Sequence, residues 1–295
     1  MVSSTTHTIA GTHGSISVHS WPTSTEPTWL AVLVHGYGEH LGRYDHVAAH
    51  LANDGARVVG PDHLGHGRSE GERVLVEDLD DVVDDLHRVV EEARDGSPNL
   101  PVVMIGHSLG GLVATRYAQR LGAGLTALVL SGPVLGSWEP TALADLPEIP
   151  ETPIDPATLS RDAAVGAAYV ADPLVWHGSF RRETLAALRT MFGRIAEGPD
   201  LGSLPTLWMH GSDDQLVPIG PTRQGIEQVG GKDLTEVVWP GARHEILNET
   251  NRAEVLATLT SFVLDHLPAP VEQPAVEEVV GERPNPYSAA SDIGP

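Results

Sequence analysis

The sequence predicts an α/β fold, with a mainly parallel central sheet and helices on both faces. Apolar, β-branched runs alternate with longer helical patterns, which is the order expected of strand–helix–strand units. The central runs are continuously apolar, as strands buried on both faces should be. This rhythm breaks between residues 135 and 204, where no strand pattern is present. We therefore predict one sheet-based core with an insertion.

Six strands of the parallel part are predicted from the apolar runs. They lie at residues 29–35, 57–62, 101–106, 125–130, 205–210 and 235–239. The first ends at Gly36 and the second closes at Pro61, two residue types that interrupt strands. Polar and apolar residues alternate from Thr8 to Trp21, which favours an antiparallel start to the sheet.

Helices are predicted at residues 76–93, 109–121, 221–229 and 252–267, and the insertion is Pro-rich at first and helical from Ser160. The acidic residues of the first helix are most simply a solvated face. We assign residues 1–134 and 205–267 to the sheet-based core and residues 135–204 to a cap insertion. Residues 268–295 are rich in Pro and Glu and are predicted to be a disordered acidic tail.

Composition excludes several classes of partner. The chain has 295 residues, a formal net charge of −22 and no cysteine. Such a surface repels nucleic acid phosphates and anionic lipid headgroups, and disulfides or Cys-ligated metals are impossible. The start of the chain does not resemble a signal peptide, and no stretch approaches the ~20 apolar residues of a membrane span. We expect a soluble cytoplasmic protein with a small-molecule substrate.

The strongest chemical signal is Gly106-His107-Ser108-Leu109-Gly110, a G-x-S-x-G pattern. It follows a predicted strand and opens a predicted helix, which is the context that this motif requires. The tight turn presents the Ser108 hydroxyl above the sheet and places the Leu109 N–H at the helix start, where it can stabilise an oxyanion. The plainer alternative, a Gly-rich turn with an incidental serine, is less favoured because partner residues follow in order.

A serine hydroxyl needs a base that is held in place by an acid. After the fifth strand come Asp213 and Asp214, and after the sixth comes His244. Both positions lie just beyond strand ends, where the active site of an open α/β sheet is found. His244 is the candidate base, although a surface histidine is the alternative. Asp214 is the candidate acid, and spacing alone does not exclude Asp213.

A second oxyanion donor is expected in the loop after the first long strand. Tyr37 lies there between two glycines, which would let its backbone N–H approach a ligand closely. A tight turn without a ligand role is the alternative. The pairs His63/His66 and His35/His40 have no third ligand at metal spacing, so we predict no metal and no cofactor.

These residues resemble the monoacylglycerol lipases of the α/β-hydrolase superfamily, and most closely the bacterial, actinobacterial-type branch. The resemblance covers residues 8 to 267. It rests on three strings, His35-Gly-Tyr-Gly-Glu39-His40-x-Gly-Arg43-Tyr44, Asp62-His-x-Gly-His-Gly-x-Ser69 and Gly106-His-Ser-x-Gly-Gly111. Further matches are Ser160-Arg-Asp162, Ala171-Asp-Pro-Leu174, His210-Gly-Ser-Asp-Asp214 and His244-Glu-x-x-Asn-Glu249.

The resemblance implies a triad of Ser108, Asp214 and His244, with Asp214 preferred over Asp213 by its position in the matching string. It implies an oxyanion hole formed by the N–H groups of Tyr37 and Leu109. Glu39, Arg43 and His107 are assigned to substrate binding, the first two at the polar end of the pocket where glycerol leaves. Members of the family work without a cofactor, under a mobile cap.

The sequence departs from the family in the cap. Typical members carry a long apolar helix there, whereas residues 135–156 are short, acidic and interrupted by prolines. Carboxylates are costly to bring against a membrane, so we expect an enzyme that prefers monomeric substrates with short or medium acyl chains. The alternative is that a later helix supplies an apolar rim, through Leu185, Leu188, Met191 and Phe192.

The predicted function is hydrolysis of the acyl ester of monoacylglycerols to fatty acid and glycerol through an acyl-enzyme. The first alternative is other ester or amide chemistry on the same triad, as in a lysophospholipase, a general carboxylesterase or an aminopeptidase. The second is a ligand-binding protein that kept the fold without catalysis.

Overall fold

The computed structural model describes residues 3–95, 97–151 and 153–269 of the chain. Eight strands form a single sheet in the order β1-β2-β4-β3-β5-β6-β7-β8. The pairs β1/β2 and β2/β4 are antiparallel, and every other neighbouring pair is parallel. The predicted fold class is confirmed, and the alternating stretch from Thr8 to Trp21 contributes to an antiparallel hairpin.

The six strands predicted for the parallel part lie within one or two residues of their predicted bounds, and the stretch from Thr8 to Trp21 divides into two strands, of which the first begins at Thr5. The strands are β1 (Thr5–Ala10), β2 (Ser15–Trp21), β3 (Trp29–Val34), β4 (Ala56–Pro61), β5 (Val102–His107), β6 (Ala127–Ser131), β7 (Thr206–Gly211) and β8 (Leu234–Trp239). All six residues of β3, β5 and β7 are buried. Their continuous apolar runs thus correspond to strands that are covered on both faces.

The helices are α1 (Asp45–Asn53), α2 (Leu79–Asp95), α3 (Leu109–Leu121), α4 (Ala163–Ala171), α5 (Arg182–Ala196), α6 (Ile219–Val229) and α7 (Arg252–His266). Sequence reasoning missed α1, because its nine residues bury only Val47, Ala48 and Leu51 and so give a short periodic signal. Helix α6 begins two residues earlier than predicted. Pro221 is tolerated there because the first helical turn needs no intrahelical N–H donor.

Successive side chains of β3 point to opposite faces and divide the core into two layers. Leu30 and Val32 pack with α2 and α3 on one face. Ala31 and Leu33 pack with α1 and α7 on the other. The sheet is therefore held between helices on both sides, and the loops at the carboxyl ends of its parallel strands remain free to build a site.

Residues 135–204 contribute no strand to the sheet in the described part of the chain. Their helix α5 packs into the layer of α2 and α3, with Leu185 and Met191 fully buried. Leu185, Leu188 and Met191 are each at most 2% exposed, so this helix does not present them to solvent as an apolar rim. Helix α4 instead carries no charged residue and leaves Val170 60% exposed.

No helix within residues 3–95, 97–151 and 153–269 has the length and apolar content needed to cross a membrane. The predicted tail, residues 268–295, lies outside the described residues except for Pro268 and Ala269. The division into a core, a cap and a tail therefore stays a prediction.

Candidate active site

Ser108 lies on the sharp turn between β5 and α3, with a backbone φ of 55° and ψ of −119°. A positive φ is uncommon for any residue except glycine, and such strain concentrates at functional sites. Glycine is required on both sides of this turn because neighbouring backbone atoms lie too close to leave room for a side chain. A Cβ on Gly106 would come within 2.4 Å of the Gly110 carbonyl oxygen, and one on Gly110 within 2.1 Å of the Val34 oxygen. Sequence and geometry thus describe the same turn.

His244 lies in the loop after β8, where its ring is buried against Asp214. The His244 Nδ1–H donates to the Asp214 Oδ2 at 2.8 Å, which leaves Nε2 as the acceptor nitrogen of the neutral ring. The other Asp214 oxygen accepts the backbone N–H groups of Leu216 and Val217 at 3.0 and 2.8 Å. Asp213, the competing acid, is exposed.

Electrostatics of this pair favour an ionised acid and a strong base. Burial opposes ionisation of Asp214, but the His244 and His210 rings outweigh burial and lower its pKa. Burial alone would lower the pKa of His244. The neighbouring acidic groups, first Asp214 and then Glu245 and Glu39, outweigh burial and raise this pKa above the ordinary histidine value. His244 is thus held more basic than a free imidazole.

Tyr37 and Leu109, the two predicted oxyanion donors, line the same pocket as Ser108 and His244. The loop that carries Tyr37 is braced from both sides. The Gly36 N–H donates to the Glu39 Oε1 at 2.7 Å, and the His63 N–H donates to the His35 Nε2 at 2.9 Å. Glu39 therefore fixes the backbone of the oxyanion loop.

The histidines considered for metal binding have other partners. The His63 Nε2 is 3.1 Å from the His35 carbonyl oxygen, and the two rings are 4.1 Å apart. The His40 Nε2 lies 2.9 Å from the Asp172 Oδ2, so this histidine connects the loop after β3 to residues 135–204. Burial is the main cause that lowers the pKa of His63 to about 3, so the ring is neutral. These histidines brace loops around the site.

Arg43 lies between two buried carboxylates at the polar end of the pocket. Its Nη1 is 2.5 Å from the Glu39 Oε2 and 2.8 Å from the Glu245 Oε1, and its Nη2 donates to the Glu245 Oε2 at 2.8 Å. Asn248 also donates to Glu245 at 2.8 Å. Burial opposes ionisation of Glu245, but Arg43 outweighs burial and lowers its pKa to about 2. Glu245 belongs to the sequence string that begins at His244, but the sequence analysis assigns it no role. Its position directly after His244 is the feature that could have indicated a place in the site.

The pocket has an apolar wall and a polar end within about 510 Å³, including space open to solvent. Its apolar lining includes Val134, Trp138, Ile154, Leu159, Leu188 and Leu216. The polar lining includes Glu39, Arg43, His107, Tyr169 and Glu245. The His107 ring lies 4.7 Å from that of His244, and burial, followed by His244, lowers the pKa of His107 to about 4. This division suits an ester that joins an apolar acyl chain to a polar alcohol.

The loop of His244 is tied to the insertion. The N–H of His244 donates to the Thr158 carbonyl at 3.4 Å, and that of Glu245 to the Leu159 carbonyl at 2.7 Å. Glu249, which is fully buried, accepts from the Arg161 Nε at 2.9 Å. The matching strings around residues 160 and 249 therefore meet in space and tie the loop of His244 to residues 135–204.

Fold, serine turn and pocket together define the class as α/β-hydrolases, and comparison with known proteins agrees. The serine aminopeptidase S33 family model, a hydrolase family, matches residues 25–251. A monoacylglycerol lipase of Mycolicibacterium smegmatis is 37% identical over 280 residues, covering 90% of this chain and 100% of that protein. The human monoglyceride lipase is 32% identical over 240 residues, covering 78% and 79%.

Solved structures extend the likeness. The crystal structure of Paleococcus ferrophilus monoacylglycerol lipase superposes with a TM-score of 0.74 at 28% identity, over 85% of this chain and 99% of that one. The chain therefore belongs to the monoacylglycerol lipases within the S33 hydrolase family. The predicted family and the predicted enzyme class, a carboxylic ester hydrolase, are confirmed.

Proposed function

We propose that this protein hydrolyses monoacylglycerols to fatty acid and glycerol through an acyl-enzyme on Ser108, with His244 as the base and Asp214 as the acid. The observation that carries the proposal is the buried His244–Asp214 hydrogen bond of 2.8 Å beside the strained Ser108 turn, in one pocket. The likeness to monoacylglycerol lipases over most of the chain supports the substrate.

The reaction begins when His244 Nε2 takes the proton of Ser108 as its hydroxyl oxygen attacks the ester carbonyl carbon. The carbonyl oxygen then carries the negative charge, which the N–H groups of Tyr37 and Leu109 stabilise. Each such donor contributes ~3 kcal/mol to an acyl transfer of this kind. Asp214 stabilises the imidazolium while remaining ionised itself.

The tetrahedral intermediate collapses when the bond to the glycerol oxygen breaks. His244 gives its proton to that oxygen, and glycerol leaves from the polar end of the pocket. Water then enters, loses a proton to His244 and attacks the acyl carbon. Collapse of the second intermediate releases the fatty acid and returns the proton to Ser108.

The cap is part of this proposal. Five pocket-lining residues, Trp138, Ile154, Leu159, Tyr169 and Leu188, belong to residues 135–204. We infer that this insertion covers the substrate, since it supplies most of the apolar wall opposite the sheet loops. Its displacement would expose the pocket to lipid or water.

The substrate is tested with monoacylglycerols and p-nitrophenyl esters of graded acyl length, followed by kcat/KM. We expect monoacylglycerols to be cleaved, with kcat/KM highest for short or medium chains, because residues 139–155, which contribute Ile154 to the pocket, present several exposed carboxylates. Sedimentation with anionic and zwitterionic vesicles is the companion measurement, and little binding is expected. A peak at long chains together with strong vesicle binding would overturn the chain-length expectation.

Two results would redirect the functional assignment. Cleavage of simple p-nitrophenyl esters but of no monoacylglycerol would favour a general carboxylesterase. Failure of a fluorophosphonate probe to label the protein would favour a non-catalytic binding protein, because an unactivated serine does not react with such a probe.

The pH profile follows from the state of His244, which must be neutral to act as the base. We expect kcat/KM to rise with pH through an apparent pKa above the ordinary histidine value of about 6.5, since Asp214 raises that pKa. Activity is lost below this pKa because the imidazolium no longer accepts the Ser108 proton. The measurement is kcat/KM from about pH 5 to about pH 9 with a short-chain ester. A profile that stays level through this range would contradict His244 as the base.

A further inference from the structure

The polar end of the pocket carries more negative than positive charge. Glu39 and Glu245 are each 4% exposed, and both are held by the single guanidinium of Arg43. Among the pocket-lining residues in the described part of the chain, Arg43 is the one lysine or arginine. Two carboxyl groups share one guanidinium here, so this buried cluster has more acidic than basic side chains, and counterions in the solvent screen it poorly.

The Arg43 guanidinium is already paired with both carboxyl groups. Both terminal nitrogens of Arg43 contact Glu245, one of them also contacts Glu39, and the guanidinium carbon lies 5.3 Å from the centre of the Tyr169 ring. A second anion would have to displace one of these carboxylates to form the paired hydrogen bonds that arginine makes with phosphate. The site is thus built to keep Arg43 from acting as a phosphate receptor.

In the proposed mechanism the leaving alcohol lies in the same pocket as this acidic cluster. Its oxygen has to reach His244 Nε2 to receive a proton, and Glu245 is the next residue along the chain. The Glu245 side chain lines the same pocket as His244 and lies on the polar rather than the apolar part of the wall. Any group attached to the glycerol therefore departs past the Glu39–Arg43–Glu245 cluster.

We propose that Glu245 is a specificity-determining residue that selects uncharged glycerol leaving groups and rejects those that carry a phosphate. This inference rests on the proposed function, because it assumes that a glycerol ester is cleaved by Ser108. Like charges within a few ångströms in a poorly solvated site repel strongly. An acylglycerol phosphate would thus meet a penalty that the matching acylglycerol does not.

The experiment compares two substrates that differ only in the phosphate, 1-decanoylglycerol and 1-decanoylglycerol 3-phosphate. The ratio of their kcat/KM values is measured for the wild type, Glu245→Gln and Glu245→Asp. Gln keeps the shape and removes the charge, so we expect the preference for the neutral ester to fall ~tenfold or more. Asp keeps the charge and should retain the preference for the neutral ester.

A matched control removes a carboxylate elsewhere. Glu236 pairs with Arg223 at 2.7 Å on an exposed part of β8 and does not line the pocket. Glu236→Gln therefore changes the net charge by the same amount and should leave the substrate ratio unchanged. Thermal melting of each variant separates a loss of folded protein from a change in selectivity.

A second measurement needs no variant. A phosphate monoester gains its second negative charge with a pKa of about 6. The wild-type preference for the neutral ester should therefore increase between about pH 5 and about pH 8, as the phosphate ionises. Of the groups facing this end, Glu245 stays ionised and His107 neutral across that range, since their pKa values are about 2 and about 4. Arg43 keeps its charge, and titration of His244 is common to both substrates.

The outcomes separate this inference from the proposed function. If the wild type cleaves the phosphate ester as well as the neutral one, or if Glu245→Gln lowers both rates equally, the specificity role is wrong while the lipase function stands. If the wild type cleaves neither decanoyl ester, nor any other monoacylglycerol, the proposed function itself fails. A preference for the neutral ester that Glu245→Gln reduces and Glu245→Asp keeps would support the inference.

Discussion

Replacing Ser108 by alanine is expected to lower kcat by ~10⁶-fold, about the cost of losing the whole proposed triad. In the proposed mechanism the Ser108 hydroxyl oxygen forms the bond of the acyl-enzyme, which alanine cannot form. The residual rate would come from substrate binding and the oxyanion donors alone. The measurement is kcat with a short-chain monoacylglycerol, with labelling by a fluorophosphonate as an independent readout.

The fold should survive this change. Alanine is smaller than serine and meets the same backbone strain at a φ of 55°, so the turn between β5 and α3 gains no new clash. We expect the melting temperature to change little and fluorophosphonate labelling to vanish. Retention of labelling or of substantial turnover in Ser108→Ala would show that another residue is the nucleophile.

The sheet was predictable because burial on both faces leaves a plain trace in the sequence. The runs at β3, β5 and β7 are continuously apolar, and each is buried throughout. Helix α1 was missed because only one narrow stripe of its surface meets the core. A helix is easier to predict from its sequence when the apolar face that it buries is larger.

The site was predictable where chemistry fixes both residue type and order. Ser108, Asp214 and His244 each follow a strand, so the topology of the fold brings their loops to one edge of the sheet. The roles of Glu245 and Glu249 were not predictable in this way. Their partners, Arg43 and Arg161, are 202 and 88 residues distant in the chain, and ion pairs leave no periodic signal.

The cap was the least predictable part. Its acidic, Pro-rich start was expected to set the character of the entrance, and α5 was considered as an apolar rim. The structure instead buries Leu185 and Met191 of α5 in the layer of α2 and α3, and leaves Leu146 and the α4 residue Val170 exposed. A helix with apolar residues on one face looks the same in sequence whether that face meets the core or the solvent.

The second large effect is expected from Asp214, the acid of the proposed triad. Asp214→Asn should lower kcat by ~10⁴-fold with little change in KM, because the amide no longer stabilises the imidazolium and disturbs the tautomer of His244. Asp214 accepts a hydrogen bond from the His244 Nδ1–H at 2.8 Å, and its other oxygen accepts from two backbone N–H groups. Asn keeps the size of the side chain, so the effect should be electronic rather than a loss of packing.

Asp213→Asn is the matched control, since it makes the same chemical change one residue away. Its side chain is exposed, whereas that of Asp214 is buried against His244. We expect Asp213→Asn to retain nearly full activity and an unchanged pH profile. Asp214→Asn should also lower the apparent pKa of the kcat/KM profile, because the carboxylate that raises the pKa of His244 has lost its charge. Should Asp213→Asn prove the crippling change, the acid is misassigned and the loop after β7 must rearrange to bring Asp213 to the base.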